Sequence, residues 1–170
     1  MSSGHRIYFV DTSYLLELYR VPGYFDERAT GPIRSRFATA WRRDDRLFVT
    51  LGCLLEYGNH IADLRNPSDR DRWAKLLEER VAEALDPQVR QRQFVVLEAP
   101  PLAELLRLVA DWRSRHVTAP RGLVDAATVE KASWFKRERA LGRPVHIWTL
   151  DRKLKGAEPD PEPDPFVGPP

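Results

Sequence analysis

Four short runs of branched and aromatic residues recur along the chain: Ile7-Tyr8-Phe9-Val10, Leu47-Phe48-Val49, Phe94-Val95-Val96-Leu97 and Val145-His146-Ile147-Trp148-Thr149. Each is bounded by turn formers or charged residues and is too short for a helix. Each is also too continuously apolar for a strand with one wet face. Strands of this kind are buried on both faces, and wide spacing leaves room for the crossover that parallel pairing demands. The expected fold class is therefore α/β, a three-layer α/β/α domain with a central parallel sheet flanked by helices.

The segments between the runs supply the helices. Asp11-Thr12-Ser13 are N-cap residue types, and Tyr14, Leu15, Leu16, Leu18 and Tyr19 follow as a short buried helix. Ile33, Phe37, Ala40 and Trp41 recur at helical spacing, which predicts a helix over Pro32 to Arg43. Further helices are expected at Leu51 to Leu64, at Asp69 to Leu85 after an Asn66-Pro67 turn, and from Pro100-Pro101 onward. In the last of these Leu102, Leu105, Leu106, Val109 and Trp112 are expected to face the core. A final helix spans Leu123 to Arg139 and breaks at Gly142-Arg143-Pro144.

At 170 residues the chain is one domain's worth, long enough to bury a core without staples. One cysteine, Cys53, excludes an internal disulfide or a cysteine metal cage, and four scattered histidines argue against a histidine site. No apolar run approaches the roughly 20 residues needed to span a bilayer. Asp11 and Glu17 interrupt the first apolar stretch, unlike a signal peptide. A cytoplasmic location and no membrane partner are the expectation. Of the 25 acids, four (Glu158, Asp160, Glu162, Asp164) lie in the last fourteen residues without a base, so residues 1–156 carry an excess of basic groups. Arginine, which forks onto phosphate, dominates them. From Pro159 prolines alternate, so 157–170 is expected to be an extended, flexible acidic tail outside the 1–156 domain.

Ligands of parallel sheets sit at the carboxyl ends of the strands. Asp11 directly follows the first run, and Asp151 closely follows the fourth. Glu56 and Asp125 stand inside apolar helical patterns, Cys53-Leu54-Leu55-Glu56-Tyr57 and Leu123-Val124-Asp125-Ala126-Ala127. Singly, each has an ordinary role open to it: Asp11 as a helix cap, Glu56 as a solvent-facing acid, Asp125 as the ion-pair partner of Arg121, Asp151 as a turn residue. Together they weigh more. Two carboxylates ~6 Å apart repel by about 3 kcal/mol at an effective dielectric of 20. A cluster of four needs a cation or a proton. Carboxylates without cysteine or histidine select hard ions, Mg²⁺ or Mn²⁺.

Phe9-Val10-Asp11-Thr12-Ser13, the helical Glu56, Asp125-Ala126-Ala127 and Thr149-Leu150-Asp151, in that order, resemble the acidic quartet of PIN-domain nucleases. In size the chain is most similar to the VapC-type toxin ribonucleases of toxin–antitoxin pairs, although the charged Asp69–Leu85 stretch and the proline tail depart from them. The resemblance covers about residues 6–155. It implies a Mg²⁺- or Mn²⁺-dependent endoribonuclease, leaving 5′-phosphate and 3′-hydroxyl ends, with Asp11, Glu56, Asp125 and Asp151 as catalytic metal ligands. Thr12, Ser13 and Thr149 would be hydroxyl partners near the metal, and the partners RNA, an antitoxin protein and a second copy in a homodimer. His60, at i+4 from Glu56, is an accessory candidate. Arg34, Arg36, Arg42, Arg43 and Arg121 are the candidates for holding RNA. A PIN-like RNA- or protein-binding module without cleavage is the alternative. A haloacid-dehalogenase phosphatase would need an acid where Ser13 stands, and a receiver domain an acidic pair before Asp11.

Overall fold

The computed structural model describes residues 5–90, 92–116 and 121–169. Its strands are β1 (Ile7–Val10), β2 (Arg46–Thr50), β3 (Val95–Leu97) and β4 (Val145–Trp148), all parallel, in the order β3-β2-β1-β4. Helices α1 (Thr12–Tyr19) and α2 (Glu27–Arg42) join β1 to β2. Helices α3 (Leu51–Ala62) and α4 (Pro67–Leu85) lead to β3, and α5 (Leu102–His116) and α6 (Leu123–Glu138) to β4. The short α7 (Arg152–Lys155) follows. In register, Phe9 lies between Phe48 and Ile147.

Strand alternation splits the core into two layers, because successive side chains point to opposite faces. Tyr8, Val10, Leu47, Val49 and Trp148 pack under α1–α4 with Tyr14, Leu15, Ile33, Phe37 and Tyr57. Ile7, Phe9, Phe48, Val145 and Ile147 pack on the other face against Ala132 and Phe135 of α6 and Leu154 of α7. This is the three-layer arrangement the sequence led us to expect.

Three expectations are corrected. Helix α2 starts at Glu27, not at Pro32. Asp26 caps it, and the buried Glu17 accepts from the Asp26 N–H (2.8 Å) and the Thr30 hydroxyl (2.5 Å). Pro32 is tolerated inside the helix because it lies on the exposed face, where the carbonyl it orphans, on exposed Arg28, can reach water. Second, α5 does not bury its apolar stripe: Leu102, Leu105 and Leu106 are exposed, and Leu108 is the residue that seats it.

Third, residues 157–169 are not a free tail. They lie along the outer edge of β4. The Val145 N–H donates to Asp160 Oδ2 (2.8 Å) and the Asp160 N–H donates to the Val145 carbonyl (3.1 Å). The Ile147 N–H donates to Glu158 (3.0 Å), and Lys155 Nζ donates to the Ile147 carbonyl (3.0 Å). Every outward backbone group of Val145 and Ile147 is thereby paired, which closes an edge that would otherwise invite another strand. The Glu162 side chain is fully buried, accepts from the Trp148 indole (2.9 Å), and pairs with Lys155 (2.7 Å) and Arg36 (3.6 Å). The prolines do forbid a regular ladder. Carboxylate side chains replace it.

Candidate metal centre

The N-termini of α1, α3 and α6 gather at the carboxyl edge of the sheet. Their partial positive ends favour anionic groups there. Asp11 is the N-cap of α1, Asp125 lies in the first turn of α6, and Glu56 lies in the second turn of α3. Asp151 follows β4 at the cap of α7. Two glycines let these elements approach. A Cβ on Gly52 would stand 3.3 Å from the Val124 side chain, so α3 packs closely on the start of α6. A Cβ on Gly122 would stand 3.3 Å from Asp125 Oδ2. Sequence reasoning passed over both, since a glycine at the start of a helix carries no motif.

Asp11 is buried at 6% exposure and rigidly held. Its Oδ2 accepts from the Ser13 hydroxyl (2.7 Å), the Ser13 N–H (3.3 Å) and the Thr149 hydroxyl (3.0 Å). Ser13 Oγ in turn accepts from the Leu150 N–H, and Thr149 Oγ1 from the Asp151 N–H, each at 3.0 Å. Two hydroxyls therefore tie Asp11 to the turn that presents Asp151. Among the described residues the one hydrogen-bond partner of Oδ1 is the Cys53 thiol, at 4.0 Å. That thiol also touches Thr128 Oγ1 (3.6 Å), and burial, with the Asp11 charge, pushes its pKa up to about 11, so it stays neutral beneath the site. Glu56 Oε2 accepts from Thr12 Oγ1 at 2.7 Å, while its neighbour Cys53 offers a carbonyl to the same hydroxyl at 3.1 Å.

Asp125 reports on the whole group. Its pKa is pushed up to about 6, first by burial and then by the charges of Asp11, Glu56 and Asp151, with the Gly122 N–H opposing. The four acids expected from the sequence therefore share one electrostatic environment. Among the described residues, no Lys, Arg or His forms an ion pair with any of them. No family model matches this chain, and no curated protein matches its sequence.

The donor chemistry of this edge fits a hard divalent ion: carboxylates and hydroxyls, with a protonated thiol below. The side chains do not stand as a finished cage. Among the described residues no three Asp, Glu, His or Cys side chains are grouped closely enough to hold an ion as they lie. Asp151 explains part of this, because its Oδ1 caps α7 through the Lys153 N–H (2.7 Å) and the Leu154 N–H (3.2 Å).

The accessory candidates separate. Thr12, Ser13 and Thr149 belong to the cluster by the bonds above. His60 does not: its ring lies 4.5 Å from that of Tyr24, and no hydrogen bond joins it to Glu56 among the described residues. The arginines divide too. Arg42 and Arg43 end α2 just before β2 begins, and the Arg43 carbonyl pairs with His5 ahead of β1, so both lie at the amino edge of the sheet. Arg34 is exposed on the same helix. Arg36 is taken by Tyr14, Glu162 and the Pro165 carbonyl. Arg121 alone stays at the carboxyl edge, donating to the Lys153 carbonyl (3.1 Å).

Proposed function

We propose that the chain is a metal-dependent ribonuclease of the PIN type, hydrolysing RNA phosphodiester bonds at Asp11, Glu56, Asp125 and Asp151. The observation that carries this reading is that four acids from separate elements, α1, α3, α6 and the turn after β4, lie without an ion-pair partner among the described residues, with Asp125 half-buried and its ionisation opposed by burial and by the other three. Acids that repel each other without a cationic partner weigh against folding, and a bound cation reverses that cost. The ordered resemblance to the PIN quartet points the same way.

Asp11 and Asp125 would hold the ion, with Glu56 and Asp151 contributing the oxygens that their own-chain donors leave free. When bound, Mg²⁺ or Mn²⁺ polarises a phosphoryl oxygen and makes a water acidic enough to attack at neutral pH. The chain's own residues do the rest. Ser13 and Thr149 occupy Asp11 Oδ2, which leaves Oδ1 as the oxygen to offer. Thr12 steadies Glu56. Asp125, whose ionised form is disfavoured by burial and by its three acidic neighbours, would have its charge matched by the ion.

The test is cleavage of a panel of single-stranded and structured RNAs by the purified protein with Mn²⁺, Mg²⁺ or EDTA. Ion-dependent cutting that EDTA abolishes is expected. RNA binding with no cutting under either ion would instead favour the non-cleaving module, and cutting that survives the chelator would remove the metal from the mechanism.

A further inference from the structure

We infer that RNA reaches the acid cluster along the groove between α5 and α6, its phosphates held by Arg115, Arg121 and Arg137; this rests on the ribonuclease reading above. A cleft of about 320 Å³ separates the two helices. Its floor on α6 is formed by Ala126, Val129 and Ser133, small residues on one helical face beginning directly after Asp125. The face from Ala126 to Arg137 runs about 16 Å at 1.5 Å per residue.

The charges of the groove are unevenly matched. Four arginines line it against two acids, Asp111 and Glu130. Arg107 accounts for both acids, bonding Glu130 across the groove (2.5 Å) and Asp111 along α5 (3.4 Å). That bridge ties α5 to α6 and leaves the described lining of the groove with an excess of two positive charges. Among the described residues Arg115 and Arg137 pair with no carboxylate, and both are exposed. Arg121 stands at the mouth, four residues ahead of Asp125 and bonded to the carbonyl two residues past Asp151. The Trp112 indole fixes it there by donating to the Arg121 carbonyl (2.8 Å). On the opposite flank of the sheet the carboxyl-terminal segment already occupies Arg36, and it lays the Phe166 ring 4.9 Å from the Arg152 guanidinium. The open cationic path therefore leads over α5 and α6. Contacts of this kind go to phosphates and carry no base code, so binding along the groove is tolerant of sequence.

The experiment measures binding of a fluorescent short oligouridine across a salt series, in an Asp11→Asn background so that nothing is cut. Arg115→Glu/Arg137→Glu is expected to weaken binding by roughly tenfold or more at about 0.1 M salt. Arg115→Ala/Arg137→Ala should flatten the salt slope by about 1.4, the loss of two single-strand phosphate contacts. Arg34→Glu/Arg42→Glu/Arg43→Glu, with the same sign of charge change on α2, should bind as before. Unchanged binding by the groove variants overturns the inference, as does an equal loss in the α2 variant. If the wild type cuts RNA while the groove variants bind and cut like it, the groove alone is wrong; if no form binds RNA, the ribonuclease reading falls with it.

Discussion

Two groups of acids lie on this small sheet and are treated oppositely. At the outer edge of β4, Glu158, Asp160 and Glu162 each have a cation: Lys155 serves Glu158 and Glu162, and Lys136 lies 2.8 Å from Asp160. Burial alone would raise the Asp160 pKa, but Lys136 and the Val145 N–H outweigh it and hold the group below its usual range. At the carboxyl edge, Asp125 moves the other way, to about 6, because burial and three like charges act together. Matched acids make structure. Unmatched acids gathered at a strand edge lower stability and are retained where a ligand repays the cost.

The comparison can be broken most directly at Asp11. Asp11→Asn keeps an oxygen for the Ser13 and Thr149 hydroxyls, so the fold should survive, while the charge that holds the ion is lost. Cleavage should fall by at least about a hundredfold, beyond the range seen for outer-sphere partners of metal ligands. Turnover of a cut RNA beside thermal melting measures both effects, and equal activity in the variant would end the metal-site assignment.

Deleting residues 157–170 strips the β4 edge of its carboxylates and leaves Lys155 and Arg36 unpaired. A loss of about 3 kcal/mol is expected, since bonds to charged groups contribute roughly 1.5–3 kcal/mol each and the newly exposed groups regain water. That corresponds to a drop of about 6–12 °C in melting temperature for a domain of this size. A melting curve indistinguishable from the full chain would show that the segment merely rests on β4.

Glu162→Gln sharpens the contrast within the tail. The amide can still accept from Trp148 but no longer balances Lys155 and Arg36, so a loss of about 1–2 kcal/mol in denaturant unfolding is expected. The smallest effect has the opposite sign. The folded pKa of Asp125 lies above the ~3.9 of an unfolded aspartate. Ionisation therefore disfavours the folded state. The penalty is absent below pH ~4, grows up to pH ~6, and is fully present above. Asp125→Asn should raise stability at pH 7 by about 1 kcal/mol, discounted for its partial exposure, and the gain should vanish near pH 4. Destabilisation at pH 7 without added metal would mean that Asp125 is a paired structural acid.

Much of this molecule was written locally. Ile7–Val10 and Val145–Trp148 are short, continuous and β-branched, and such runs can be buried only as central strands, so the parallel α/β class followed from composition at a few positions. Asp11 and Asp151 were legible because a strand end is a local event. Glu56 and Asp125 were legible because a charged residue breaks an apolar helical pattern. The start of α2 was misplaced because Pro32 is a strong local signal, and the cap that overrides it comes from Glu17, one helix away.

The tertiary structure decided what depends on distant neighbours. The sequence cannot say that Ser13 and Thr149 meet on one oxygen of Asp11, because only the pairing of β1 with β4 brings them together. Nor can it say which arginines face the site. Arg36 and Arg121 look alike in the chain, yet one is bound by the carboxyl-terminal segment and the other bonds the Lys153 carbonyl, two residues past Asp151. The acidic proline segment is the clearest case. Its prolines forbid helix and ladder, which is a local fact, and a segment without regular structure reads as free. Whether it binds depends on which backbone groups β4 leaves open and where Lys136 and Lys155 point, and those are properties of the folded sheet alone.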